Sequence, residues 1–138
     1  MIRKRKSKAI HGFTIIDKPH GLSSNAVLQQ VKHRLCAAKG GHPGALYPLA
    51  TGVLPLCFGE ATKFSQILLD ANKEYVTKAQ LGIQTSTADS EGEILATKEI
   101  PLALDLAAIN QILASFRGAQ KQVPSMFSAL KHNGVHLF

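Results

Sequence analysis

GHPGALYPLATGVLPLCFGEATKF, residues 41–64, changes character part-way along, and the change decides the fold. Its first dozen residues hold Gly41, Gly44 and Gly52 with Pro43 and Pro48 around His42 and Tyr47, and show neither helical nor strand periodicity. GVLPLCFG (52–59) then reads as a strand whose Pro55 marks an edge or a bulge. ATKFSQILLD (61–70) follows as a helix, with Ala61, Phe64, Ile67 and Leu68 at helical spacing. The opening dozen is therefore a long loop feeding a strand. Glycines let backbone approach a ligand closely and prolines fix the loop beforehand, which suits an inserted wedge.

Upstream, GFTIID (12–17) is a short strand and KPHG a turn. The pattern predicts a helix capped by Ser23, with Leu22 and Val27 as a staple and a core face of Val27, Leu28, Val31 and Leu35. Downstream, KEYVTKAQLG (73–82) alternates as a strand does. TSTADSEGE (85–93) is turn-rich, EILAT (93–97) is a brief strand, and Leu106, Ile109, Leu113 and Phe116 mark a helix ended by Gly118. Asn133-Gly134 between two extended runs signals a hairpin. Short strands mixed with helices, without regular βαβ alternation, predict an α+β fold with a mixed or antiparallel sheet and flanking helices.

A chain of 138 residues that is 45% hydrophobic and 18% charged has the balance of one globular domain. No apolar run approaches the roughly 20 residues of a membrane span. Cys36 and Cys57 lack metal or redox spacing and are expected to be buried free thiols in a cytoplasmic protein. The six histidines are scattered and GxxxxGK[ST] is absent, so neither a metal nor a nucleotide phosphate loop is expected. Charge is the informative quantity. Residues 1–39 hold nine Lys/Arg against Asp17 alone, a net +8, whereas the rest hold seven bases and eight acids. Such an asymmetric footprint suits a phosphate backbone, with Arg3, Lys4, Arg5, Lys32, Arg34 and Lys39 as candidate contacts.

The 41–64 stretch resembles the signature of the TruB-type tRNA pseudouridine synthases, and the likeness continues in DKPHGLSSN (17–25), KEYVTKAQLGIQTSTADSEGE (73–93) and VPSMFSALKHNG (123–134). The resemblance runs from about Ile10 to the last residue. It divides the chain into a basic tail, 1–9, and the N-terminal part of a catalytic domain, 10–138. It implies isomerisation of a T-loop uridine, U55, of tRNA to pseudouridine without a cofactor. The partner is then the tRNA T-arm, with no membrane or metal involved and the chain a monomer.

Such a reaction requires the nucleotide to be flipped from its stack and a carboxylate to assist cleavage of the glycosidic bond. The family supplies an aspartate in GHxGxLDP; the matching position here is Tyr47, and Pro43 replaces a small polar residue. A phenol ionises near pH 10 in water, so it is a poor nucleophile at neutral pH and bulkier than the acid. Replacement of Asp17, Asp70 or Asp89 for the lost acid demands placement to about 1 Å. His42 matches the histidine that takes the flipped base's place, or else is a loop histidine bonded to backbone. Tyr75 matches the aromatic that stacks on uracil, or else pairs across strands. Lys18 and Pro19 match a DKP turn of structural or substrate-side role, against a solvated turn lysine. Asp89 matches an acid near the substrate, with Ser86 in place of a second aspartate. The family's arginine partner of the aspartate, and strands completing the sheet, are implied to lie beyond residue 138. The expectation is an RNA-binding but catalytically impaired synthase, the alternative a non-catalytic tRNA-binding module or relic.

Overall fold

The computed structural model describes residues 6–102, 104–123, 131–132 and 135–136. The chain forms two compact units, Met1–Tyr75 and Val76–Phe138.

The first unit is built on β1 (Gly12–Lys18), α1 (Ser24–Leu35), β2 (Gly40–Gly41) and β3 (Gly52–Phe58), followed by a 3-10 turn, Gly59–Phe64, and α2 (Ser65–Asp70). The strand order is β1-β3-β2, all antiparallel. β1 and β3 pair along their full length, from Gly12 with Phe58 to Lys18 with Gly52. Alternation then assigns faces. Leu54, Leu56 and Phe58 join Val27, Leu28 and Ala37 in the core, with Ile10, Ile16, Leu22, Val31 and Leu46 packed against it. Phe13, Ile15 and Val53 lie on the opposite, exposed face.

α1 starts as its sequence predicts. Ser23 has extended backbone and its hydroxyl accepts from the Ala26 N–H at 3.1 Å, while Leu22 packs on the cluster that holds Val27. Leu35 departs from expectation: it is 40% exposed, because the helix closes on Cys36 in a left-handed conformation (φ 54°) one residue later. Only Cys57 of the two thiols is buried, and burial pushes its pKa up; Cys36 is half-buried. Pro55 sits within an unbroken register, so it makes no bulge, and β2 pairs only with Cys57 and Phe58, leaving the Pro55 stretch as an edge on that side. Glycines hide β2 from a pattern search. A Cβ at Gly40 would lie 2.9 Å from the Phe58 ring, so only glycine admits this close pairing. The predicted 61–70 helix is divided between the 3-10 turn and α2.

The second unit holds β4 (Ile83–Thr85), β5 (Ile94–Thr97), α3 (Leu106–Ala114), β6 (Lys131–His132) and β7 (Val135–His136). β6 and β7 pair antiparallel, as the Asn133-Gly134 signal predicts, although those two residues themselves lie outside the described set. The strand expected over 73–82 is not formed. β4 begins at Ile83 instead, and every residue from 71 to 81 is exposed. Alternation describes a strand only when a neighbour accepts its hydrogen bonds, and no described strand pairs with this run. α3 is capped by Asp105, which accepts from the Ala108 N–H at 2.8 Å. Leu106, Leu113 and Phe116 of its apolar stripe are exposed. The architecture is α+β with antiparallel sheets; one isolated parallel bridge joins Lys8 to Ala37.

Candidate active-site loop

Between β2 and β3 the chain has no regular structure over 42–51, apart from bends and one turn, and relies on side-chain anchors. They bracket Tyr47. On one side, the Ser24 hydroxyl accepts from the Leu46 N–H at 2.8 Å and donates to the Leu46 carbonyl at 3.2 Å, while the Leu46 side chain packs on the core. On the other side, the Pro48 carbonyl accepts from the Gly21 N–H at 2.8 Å and from Lys18 Nζ at 3.2 Å. Gly21 reaches this position with φ +84°, a conformation that disfavours any side chain. The Ala50 N–H donates to the Tyr47 carbonyl at 3.0 Å and closes the turn. Every one of these bonds uses main chain at 46–48. The Tyr47 side chain itself is 61% exposed.

Lys18 overturns the solvated-lysine reading. Its side chain is fully buried, and Nζ also donates to the Leu22 carbonyl at 2.6 Å and the Pro19 carbonyl at 2.9 Å. Lysine carries three N–H donors, and all three find a carbonyl. The residue ties the end of β1, its own turn and the loop into one knot.

His42 is half-buried and its Nδ1 pairs with the Gly44 carbonyl at 2.5 Å. A carbonyl only accepts, so Nδ1 carries the proton and Nε2 is left to other partners. Pro43, beside it, is buried. Tyr75 is 69% exposed in irregular chain, so the cross-strand pair considered for it is absent.

Asp89 belongs to the second unit. The Thr87 hydroxyl donates to its Oδ1 at 2.6 Å and the Glu91 N–H donates to the same oxygen at 2.9 Å. The Thr87 bond foremost, then that from Glu91, hold its carboxyl below the usual range. The sign follows: a depressed folded pKa makes this order present above the unfolded value and lost as pH falls through the folded one. The carboxyl resonance of Asp89 is therefore expected to titrate below the ordinary aspartate midpoint of about 3.9. Thr87→Ala should move that midpoint upward; an unmoved midpoint in an NMR titration refutes the assignment.

The basic candidates are partly gathered. Lys8 is drawn to the end of α1, its N–H donating to the Cys36 carbonyl and its carbonyl accepting from Ala38. The fold thus takes in residue 8, inside the expected tail, and sets it beside the helix turn bearing Lys32, His33 and Arg34. Lys39 is exposed and accepts from the Gly59 N–H through its carbonyl. Arg3, Lys4 and Arg5 lie outside the described residues. Among the described residues, no group of three His, Cys, Asp or Glu is placed to hold a metal, and no helix is long and apolar enough to cross a membrane.

Sequence reasoning missed Ser24, whose neighbour Ser23 carried the cap signal. The only sign was its place in DKPHGLSSN, one of the segments that resembles the family.

Comparison with known proteins places this α+β chain in a family. The family model "TruB family pseudouridylate synthase (N terminal domain)" matches residues 32–138, and the chain belongs to that family. It is 54% identical to a tRNA pseudouridine synthase B of Aliivibrio salmonicida over 138 residues, all of this chain and 43% of that protein. A tRNA pseudouridine synthase B of Tolumonas auensis is 55% identical over 136 residues, 99% of this chain and 41% of the relative. That of Vibrio cholerae is 53% identical over the whole chain and 44% of its own length. The chain spans less than half the length of these curated relatives.

Proposed function

We propose that this chain is a tRNA-binding pseudouridine synthase module whose isomerisation of the T-loop uridine, U55, fails at position 47. The observation that carries this reading is the anchored loop, in which main chain is bonded on both sides of residue 47 while its side chain faces solvent. Whatever occupies the position is presented to a ligand. An aspartate there assists glycosidic cleavage and holds the developing charge beside the ribose. A tyrosine presents a neutral, larger group to the same sugar.

The other site residues take supporting roles. His42, with Nδ1 committed to Gly44, offers Nε2 to the space the flipped base leaves. Tyr75 offers an exposed ring for stacking on uracil. Lys18, being buried, acts on the substrate side only by holding the loop. RNA backbone is met by the basic N-terminal third, including Lys32, Arg34 and Lys39.

Binding of an unmodified tRNA transcript should therefore weaken with salt, by at least about tenfold between 50 and 200 mM, as phosphate contacts release counterions. Gel shifts across that range test it, beside single-nucleotide mapping of pseudouridine. Salt-independent affinity contradicts the electrostatic reading. Pseudouridine formed in the T-loop by the native chain contradicts the impairment.

A further inference from the structure

Ser24 is 3% exposed, yet it is a polar residue at the first position of a helix. That position does not need its hydroxyl, because Ser23 already supplies the cap by accepting from the Ala26 N–H. The hydroxyl is instead committed, as donor and acceptor, to one residue 22 positions away: it accepts from the Leu46 N–H and donates to the Leu46 carbonyl. One side chain thereby stands in for a paired strand, in a loop that pairs with no strand among the described residues. With the Leu46 side chain on the core, residue 46 is held at three points, and the direction in which the next side chain leaves the backbone is set there.

We infer that Ser24 is the positioning residue for side chain 47, aiming it at the substrate through the main chain of Leu46. The aim at a substrate rests on the reading of position 47 given above; the aiming itself rests on the two hydrogen bonds. Ser24→Ala leaves the Leu46 N–H without its partner and the loop without the tie that precedes residue 47. Threonine keeps both bonding functions.

The chain provides its own probe, since it has no tryptophan and two tyrosines. In a Tyr75→Phe background, tyrosine fluorescence reports residue 47 alone. Ser24→Ala in the full chain is expected to speed amide exchange of Leu46 at least tenfold relative to that of Leu28 in α1, and to lower the anisotropy of Tyr47. Ser24→Thr should stay within about threefold of the parent. Ser23→Ala separates positioning from stability: it should lower the melting temperature through the lost cap while leaving Leu46 exchange and Tyr47 anisotropy unchanged. Should Ser24→Ala fail to fold, Ser24→Cys, of the same shape with weaker hydrogen bonds, takes its place with the same expected direction. Equal exchange and anisotropy in the parent and the Ala or Cys variant overturn the inference, as does loosening by Thr equal to that by Ala.

These readouts need no RNA, so failure of the tRNA reading leaves them intact. Where turnover is available, in a Tyr47→Asp chain joined to the remaining portion of the Aliivibrio salmonicida relative, Ser24→Ala should lower kcat at least tenfold with KM unchanged. Undiminished kcat there overturns the inference even if the loop has loosened.

Discussion

Tyr47→Asp, in this chain joined to the remaining portion of the Aliivibrio salmonicida relative, is expected to raise pseudouridine formation by a factor on the order of a million over the joined parent. Removing a nucleophile from an enzyme whose site acts as a unit costs about that much, and restoring it to an intact scaffold returns it. The loop's backbone path does not depend on the phenol. The bonds that bracket residue 47, from Ser24, Lys18, Gly21 and Ala50, go to main-chain atoms of residues 46–48, and none of them to the phenol. Exchange of the side chain therefore leaves the backbone path in place. The tyrosine ring is mostly solvent-exposed, so its removal opens no core cavity. Aspartate brings a group ionised at neutral pH, with an ordinary pKa of about 3.9, in place of a neutral phenol. Affinity for tRNA should change little, since the proposed backbone contacts lie in the basic residues 1–39. Pseudouridine mapping on a T-loop substrate reads the result. A revertant as inactive as its parent means that tyrosine is not the principal defect and that Pro43 or a second site carries it.

Lys18→Met has the largest expected effect on stability. Methionine matches the reach and much of the volume of lysine but donates nothing. The Pro48 carbonyl keeps the Gly21 N–H, whereas the carbonyls of Pro19 and Leu22 lose the donor that Lys18 supplies. Two carbonyls losing a buried donor, at about 1–3 kcal/mol each, give an expected loss of about 2–6 kcal/mol. For a unit of this size, that lowers the melting temperature by roughly 10 °C or more. Thermal unfolding followed by circular dichroism measures it. A loss below about 0.5 kcal/mol would show that the lysine is not the knot described. Lys18→Arg is no rescue, because a planar guanidinium fork does not fit carbonyls arranged around a compact amino group. The same substitution also frees one tie on the residue-47 loop. Stability and presentation of that side chain are thus linked through a single buried nitrogen.

Much of the first unit is legible in its residues because local rules there agree with the packing. Ser23 caps, Leu22 staples, and the apolar face of α1 meets the inward face of a strand that alternates. The second unit is less legible. KEYVTKAQLG alternates as strongly as any strand in the chain and forms none, while the pairing begins at Ile83 after Gly82 turns the backbone at φ +79°. Alternation says which faces a strand would have, and pairing needs a neighbour that alternation does not name. α3 shows the same limit: its cap and stripe are local, but the exposure of Leu106, Leu113 and Phe116 depends on what lies against them.

The amino-acid sequence determined the α+β class, the family, the one-sided positive charge and the tyrosine at position 47, because each is a property of residue type and order. Tertiary structure alone decided that Lys18 is buried instead of solvated, that Ser24 grips Leu46 across 22 residues, and that Lys8 joins the end of α1. Those are encounters between segments distant along the chain. A polar side chain reads the same in sequence whether it faces water or three carbonyls, and only the fold brings the carbonyls to it.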